Sequence, residues 1–238
     1  MSKARIMSVF GTRPEAIKMA PLVKELARRE GLESLCCVTA QHREMLDSVL
    51  GIFKITPDHD LNIMEPGQTL STITTKCLLG LEKVFQEAKP DLVLVHGDTT
   101  TAFSAALAAF YNKIPVGHVE AGLRTYDRYS PYPEEMNRTM VGDLAELHFS
   151  PTGANRANLL REGIEKGIYL TGNTVIDAMA TTVRPDFSFS TELLNHIDYQ
   201  GRKVIAVTCH RRENYGQPME DIMSALAHIA QTHSEACR

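Results

Sequence analysis

Three carboxylates and one histidine follow strand-like parts of the sequence, at positions where reactive side chains commonly lie. Glu120 comes directly after a short apolar run and Asp98 shortly after another, and Glu134 begins a helix-like segment. His210 follows a later apolar run. Carboxylate and imidazole groups in such places can move protons to and from a small molecule. The pattern therefore predicts an acid–base site at one edge of a sheet.

Each of these residues also has a purely structural interpretation. Asp98 can cap the helix that follows it, and Glu120 can form a buried ion pair with Arg124. Glu134 can be an acidic first-turn residue that the helix dipole favours. His210, followed by two arginines, can lie in a solvated turn. The sequence alone leaves both interpretations open at each position.

A second cluster of residues has the chemistry of a phosphate site. Gly11 forms a turn after the first strand, and Arg13 and Lys18 lie near the start of the following helix. Free amides at a helix N-terminus and nearby cations attract phosphate. The spacing matches neither GxGxxG nor GxxxxGK[ST], so it indicates neither a dinucleotide fold nor a P-loop. Alternatively, Thr12 and Glu15 form an ordinary capping box and the two cations are simply exposed.

The elements that position these residues alternate between apolar runs of strand length and segments of helical period. This order is typical of βαβ units, and the continuous Val, Ile and Leu runs indicate a parallel sheet covered on both faces. The sequence therefore predicts a doubly wound α/β fold. The predicted strands are Ile6–Phe10, Leu35–Thr39, Leu92–His96, Val116–Val119, Leu147–Ser150, Tyr169–Thr171 and Val204–Thr208.

The segmentation predicts a domain boundary near Gly172. Residues 1–172 form a doubly wound domain that carries the candidate acids, and residues 173–238 form the beginning of a second such domain. After the boundary the sequence predicts one strand and one helix, from about Met219 to Ala230. A doubly wound domain needs several more strands, so the second domain is expected to be incomplete.

Composition excludes several classes of protein. The 238 residues carry 25 Lys and Arg against 29 Asp and Glu, without a basic block, so the charge pattern predicts no nucleic-acid partner. Since no run approaches the ~20 apolar residues of a membrane span, no membrane association is expected. The five cysteines form no CxxC motif, which predicts reduced thiols. The sequence shows no spacing of His, Cys and carboxylates typical of a metal site, so no metal is expected. It also shows no export signal, which predicts a cytoplasmic protein.

Seven motifs, in order along the chain, resemble those of the bacterial non-hydrolysing UDP-N-acetylglucosamine 2-epimerases. Together they extend over most of the sequence. They are Phe10–Pro21 (FGTRPEAIKMAP), Thr39–Leu46 (TAQHREML), Val95–Thr101 (VHGDTTT), Val116–Arg124 (VGHVEAGLR), Ser130–Arg138 (SPYPEEMNR), Thr171–Asp177 (TGNTVID) and Thr208–Glu213 (TCHRRE).

The resemblance implies a GT-B architecture of two Rossmann-like domains, of which the second binds UDP. It implies an isomerase that interconverts UDP-N-acetylglucosamine and UDP-N-acetylmannosamine through 2-acetamidoglucal, with no cofactor, in a homodimer that serves polysaccharide biosynthesis. The three carboxylates and His210 then correspond to catalytic residues, and Arg13 and Lys18 to residues near the substrate phosphates.

The resemblance also implies a regulatory site, at which UDP-N-acetylglucosamine acts as an allosteric activator. Gln41, His42 and Arg211 match positions associated with it. Members of the family continue well beyond the length of this sequence, which suggests a C-terminal domain shortened by truncation. An alternative hypothesis is therefore a catalytically inactive fragment that acts only as a binding or dimerisation module. A third is a GT-B glycosyltransferase.

Overall fold

The computed structural model describes residues 3–40, 43–201, 204–209 and 214–233. The chain divides after Val183 into two compact units. Among the helices in these ranges, none is both long enough and apolar enough to cross a membrane. All the candidate acids belong to the first unit.

The first unit is a sheet of seven parallel strands with helices on both faces. The strands are β1 (Ala4–Phe10), β2 (Leu32–Val38), β3 (His59–Asp60), β4 (Leu92–His96), β5 (Val116–Val119), β6 (Leu147–Ser150) and β7 (Ile168–Leu170). The helices are α1 (Arg13–Arg28), α2 (Arg43–Phe53), α3 (Leu70–Ala88), α4 (Thr100–Tyr111), α5 (Glu134–Leu144), α6 (Gly153–Arg161) and α7 (Val175–Thr182).

The strand order is β3-β2-β1-β4-β5-β6-β7, so the direction of winding reverses between β1 and β4. The register pairs Ile6 of β1 with Leu92 of β4, and Val95 of β4 with His118 of β5. In open parallel sheets, ligands bind beyond the carboxyl ends of the strands beside such a reversal. The predicted doubly wound α/β fold is thus confirmed, and β1, β4 and β5 end at the expected binding edge.

Two apolar clusters fill the space between the sheet and its helices. Alternate residues of β4 belong to different clusters, with Val93 and Val95 in one and Leu94 in the other, because successive strand residues face opposite sides. Helices α3 and α4 contribute to the first cluster and α1, α2 and α7 to the second. The sheet is therefore covered on both faces, as its continuous apolar strands predict.

The second unit contains α8 (Glu192–Asn195) and α9 (Gln217–Thr232). Helix α9 confirms the helix predicted from Met219 to Ala230. The predicted strand Val204–Thr208 is wrong, since residues 204–209 adopt no strand. A strand needs a neighbour to pair with its backbone groups, and no described residue after Val183 forms a strand.

Candidate active site

The predicted acids come together at the carboxyl ends of β4 and β5. These strands are adjacent, so Asp98 and Glu120, which follow them, lie at the same edge of the sheet. Glu134 is the first residue of α5, and its charge and that of Glu120 both raise the pKa of Asp98. The structure thus places all three carboxylates within electrostatic range of one another.

Glu120 is held by residues from three other parts of the chain. Lys18 Nζ donates to its Oε1 at 2.6 Å and to its Oε2 at 2.8 Å. Asn173 Nδ2 donates to Oε1 at 2.7 Å, and His96 Nε2 lies 3.4 Å from Oε2. The backbone of Glu120 has φ of +65°, a left-handed conformation that non-glycine residues rarely adopt. Such local strain at a polar position is typical of functional sites.

The alternative pairing of Glu120 with Arg124 is wrong. Arg124 instead binds Glu162 through two parallel hydrogen bonds, from Nε to Oε1 and from Nη2 to Oε2, each 2.7 Å long. The guanidinium and carboxylate therefore match each other's planar geometry, and Lys18 takes the place predicted for Arg124.

Glu120 is stabilised in its ionised form. Burial raises its pKa, but the charge that His96 carries when protonated, the hydrogen bonds and charge of Lys18 and the hydrogen bond from Asn173 together lower it by more, so that it lies below the usual value. Burial also lowers the pKa of His96 to about 4, so this ring is uncharged near neutral pH. The Lys18 ammonium is therefore the cation that keeps Glu120 ionised under those conditions.

The environment of Asp98 raises its pKa, in contrast to that of Glu120. Burial raises its pKa, and the charges of Glu134 and Glu120 raise it further, although Arg138 opposes them. Arg138 Nη1 lies 3.2 Å from Asp98 Oδ2, and Asn137 Nδ2 donates to the Asp98 carbonyl at 2.9 Å. Two neighbouring carboxyl groups with pKa values displaced in opposite directions suit complementary acid and base roles.

The helix cap predicted as an alternative role for Asp98 belongs to its neighbour. Thr99 is the N-cap of α4, and its Oγ1 accepts a hydrogen bond from Ala102 N at 3.0 Å. The Asp98 side chain is consequently not needed to begin the helix.

Glu134 and its neighbour Glu135 differ in their surroundings. Glu134 lies in the first turn of α5, as its alternative interpretation predicts, and is partly exposed. Glu135 is buried and accepts hydrogen bonds from the backbone of Thr125 and Tyr126 and from Arg138 Nε at 2.7 Å. Glu135 thus anchors the preceding loop and orients Arg138 toward the site.

Several residues of the site lie outside the set that the sequence predicts. His96, Asn137, Arg138 and Asn173 all contact a predicted acid, but none was predicted as a site residue. Asn137 and Arg138 lie about one helical turn after Glu134, and this spacing could have identified them.

The two predicted phosphate ligands occupy different surroundings. Lys18 is partly buried against Glu120. Arg13 is exposed and lines a cavity of about 340 Å³ between α1, α2 and α7. The rest of the lining is mostly apolar and includes Ile17, Phe53 and Met179. Phosphate binding by Arg13 and Lys18 stays a prediction.

The remaining predicted residues, His210, Gln41, His42 and Arg211, lie outside the described residues. Within the described ranges, no group of three or more His, Cys, Asp and Glu side chains could hold a metal ion. The candidate site is therefore defined here by its carboxylates and by the groups that bind them.

The chain is similar to known proteins over most of its length. Residues 24–237 match the family model described as UDP-N-acetylglucosamine 2-epimerase. The Escherichia coli K12 protein named UDP-N-acetylglucosamine 2-epimerase is 57% identical over 238 residues, a match that covers 97% of this chain and 63% of that protein.

Two solved structures share the fold closely. The S. aureus MnaA–UDP structure matches with a TM-score of 0.87 and 52% identity, over 98% of this chain and 61% of that one. The Neisseria meningitidis UDP-GlcNAc 2-epimerase bound to UDP-GlcNAc matches with a TM-score of 0.87 and 47% identity, over 98% of this chain and 64% of that one. The predicted Rossmann-like fold of GT-B type is confirmed.

The chain spans about three fifths of the length of these relatives. Within that span, the family match includes the strands and helices that carry Asp98, Glu120 and Glu134. The match of the family model over most of the sequence places the chain in the UDP-N-acetylglucosamine 2-epimerase family.

Proposed function

We propose that this chain supplies the acid–base residues of a non-hydrolysing epimerase that interconverts UDP-N-acetylglucosamine and UDP-N-acetylmannosamine. The observation that carries the proposal is the placement of Asp98 and Glu120 after the carboxyl ends of two adjacent strands, where their surroundings displace the two pKa values in opposite directions. Membership of the family supports the choice of substrate, since a relative has been solved with UDP-GlcNAc.

The proposed reaction is an elimination followed by an addition. A base removes the proton on the second sugar carbon, the electron pair forms a double bond to the first carbon, and the bond from that carbon to UDP breaks. UDP then adds back to the resulting 2-acetamidoglucal while the second carbon receives a proton on its opposite face. No electrons are gained or lost overall, so the reaction itself needs no redox cofactor.

The site residues fit the demands of these steps. Glu120, ionised beside Lys18, can accept a proton, whereas the raised pKa of Asp98 favours a group that carries one. Glu134 lies near enough to modulate Asp98 through its charge. His210 completes the proposed catalytic set, and Arg13 together with Lys18 is proposed to neutralise the leaving diphosphate.

The remaining proposals extend beyond the described site. Gln41, His42 and Arg211 are proposed to bind UDP-N-acetylglucosamine as an allosteric activator. We further propose a cytoplasmic homodimer that serves polysaccharide biosynthesis, with a boundary after residue 172 between the domain carrying the acids and the UDP-binding domain.

A binding or dimerisation module without catalysis is the second candidate. The observation that favours it is that no described residue after Val183 is buried or forms a strand, so the described part of the second unit builds no nucleotide pocket of its own. A thermal shift measured with UDP separates the candidates, because a ligand that binds only the folded state raises the melting temperature. An unchanged melting temperature at saturating UDP would favour the module.

The proposed activity is tested by following the sugar by proton NMR in heavy water. With UDP-N-acetylglucosamine, we expect the signal of the proton on the second carbon to disappear and the manno epimer to appear. Persistence of that signal, with folded protein, would contradict the proposal. Transfer of the sugar to an acceptor without loss of the signal would instead indicate a glycosyltransferase.

Two aspartate variants link that signal to the site. Asp98→Asn removes the acid–base group with little change in volume and should lower the exchange rate by about 10²- to 10⁴-fold. Asp143→Asn makes the same chemical change at an exposed position on α5 and should leave the rate unchanged. Equal rates in the two variants would remove Asp98 from the catalytic set.

A further inference from the structure

The turn that carries Asp98 is held at three consecutive residues. Each contact comes from a different element of the fold, and none of them involves the Asp98 carboxylate itself. The contacts are His118 Nε2 to Gly97 O at 2.7 Å, Asn137 Nδ2 to Asp98 O at 2.9 Å and Thr99 Oγ1 to Glu15 Oε1 at 2.6 Å. The backbone on both sides of the reactive group is thereby fixed.

Glu15 is the most deeply buried charged member of this set, with only 1% of its surface exposed. Its Oε2 accepts hydrogen bonds from Gly11 N at 3.0 Å and from Thr12 N at 2.7 Å. Its Oε1 accepts from Thr99. One carboxylate therefore joins the turn after β1 to the turn after β4, across the point where the winding of the sheet reverses.

The turn after β1 packs closely against Thr39, which follows β2, and against Thr101 in the first turn of α4. A Cβ atom on Gly11 would lie 1.9 Å from Thr39 Oγ1 and 2.6 Å from Thr101 Oγ1. Glycine is therefore required at position 11 for this approach. Glu15 can then reach Thr99 from the first turn of α1 without a bridging group.

The Thr99 hydroxyl accepts one hydrogen bond and donates another. Its Oγ1 accepts from Ala102 N, which caps α4, and donates its only proton to Glu15. The Glu15 carboxylate thus receives three hydrogen bonds, two from backbone amides at a helix N-terminus. Burial raises the pKa of Glu15, and these hydrogen bonds offset part of that rise.

We propose that Glu15 is a positioning residue that sets the geometry of the Asp98 carboxylate through Thr99. Glu15 itself touches no reacting atom in this scheme. The inference deepens the proposed epimerase function and rests on it for its catalytic consequence, whereas the effect on Asp98 is measurable without any turnover.

The test uses Thr99→Val, which keeps the shape of the side chain but removes its hydroxyl. Thr69→Val is the matched control, because Thr69 caps α3 in the same way, accepting from Thr72 N at 3.1 Å, without a contact to a buried carboxylate among its described hydrogen bonds. Thr99→Ser restores the hydroxyl, and Glu15→Gln removes the charge at the other end of the same contact.

The first readout is the titration of Asp98, followed through its carboxyl ¹³C signal and assigned by the loss of that signal in Asp98→Asn. We expect the pKa of Asp98 to fall toward its ordinary value in Thr99→Val and Glu15→Gln, because the released turn exposes the carboxylate to water. Thr69→Val and Thr99→Ser should titrate like the unmodified chain.

The second readout is exchange of the proton on the second carbon of UDP-N-acetylglucosamine in heavy water. Thr99→Val should lower kcat about 10- to 100-fold while KM changes about two-fold or less, since displacement of a reactive group by about 1 Å has effects of this size. Thr99→Ser should recover most of the rate.

The two readouts separate failure of this inference from failure of the proposed function. If the unmodified chain exchanges no proton, the epimerase proposal fails, while the titration still decides whether Glu15 positions Asp98. Identical Asp98 titrations in Thr99→Val and Thr69→Val would overturn the inference and leave Thr99 as a helix cap only. It would equally fail if Thr99→Ser behaved like Thr99→Val.

Discussion

The two units of the chain, before and after Val183, differ in how much apolar surface their described residues bury. The first unit buries two apolar clusters against a seven-stranded sheet. In the second, no described residue is buried, and apolar side chains such as Leu193 and Ile205 are 74% and 71% exposed. Helix α9 nevertheless forms there, because its backbone groups form hydrogen bonds within the helix. Residues 204–209 form no strand, because a strand needs a neighbouring strand to pair with.

The largest difference between the two units should appear when a large apolar side chain is shortened. Leu81 is fully buried on α3, and Leu81→Ala should lower the free energy of unfolding by about 2–5 kcal/mol. Ile205→Ala should change it by about 0.5 kcal/mol or less, since most of that side chain already contacts water. Urea unfolding measures both. Similar losses would show that Ile205 is buried in solution.

A second contrast concerns pH. Burial lowers the pKa of His118 to about 3, whereas an unfolded histidine has a pKa of about 6.5. Between these values only the unfolded chain binds the proton, so the free energy of unfolding should fall as pH decreases. For this one group the fall is about 1.4 kcal/mol per pH unit.

Two histidine variants test this contribution by urea unfolding at several pH values between 6.5 and 4. His118→Gln should make the dependence on pH shallower by about 1.4 kcal/mol per unit. His228→Gln is the matched control, because it makes the same substitution at an exposed position on α9. Parallel curves for all three proteins would mean that His118 is protonated in the folded state.

The smallest of the three contrasts concerns added methyl groups at two glycines. Gly11→Ala places a Cβ against the hydroxyls of Thr39 and Thr101, inside the packed first unit, and should cost about 1–3 kcal/mol. Gly201→Ala meets the carboxylate of Asp198, an exposed side chain whose hydrogen bonds from Gln200 N and Gly201 N can be replaced by water when it moves, so this variant should cost less. Thermal unfolding should therefore separate the two variants, and equal melting temperatures would contradict the close approach at Gly11.

Much of the first unit could be predicted from the sequence because its signals are local. The apolar run of β4 and the proline in the first turn of α1 each determine structure within a few residues. Strand β3 could not be predicted, since His59 and Asp60 form no pattern and extend the sheet only by pairing with β2. The strand expected over Val204–Thr208 was wrong for the same reason, because pairing is not a local property.

The candidate site shows the same division. The convergence of Asp98 and Glu120 follows from parallel strands, whose carboxyl ends share one edge. Their partners do not follow from the pattern: Lys18 is 102 positions away from Glu120, and Arg124, only four positions away, binds elsewhere. Glu15 was recognised only as part of a capping box, since its contact with Thr99 exists only once two distant turns meet.

The strand order also determines when the sheet can be completed during synthesis. Strand β1 lies between β2 and β4, so its second edge stays unpaired until Leu92–His96 has left the ribosome. Chains emerge at about 5–20 residues per second, and loop closure over long separations slows pairing further. The edge of β1 is therefore open to other strands for several seconds, the period in which a chaperone would protect this protein most.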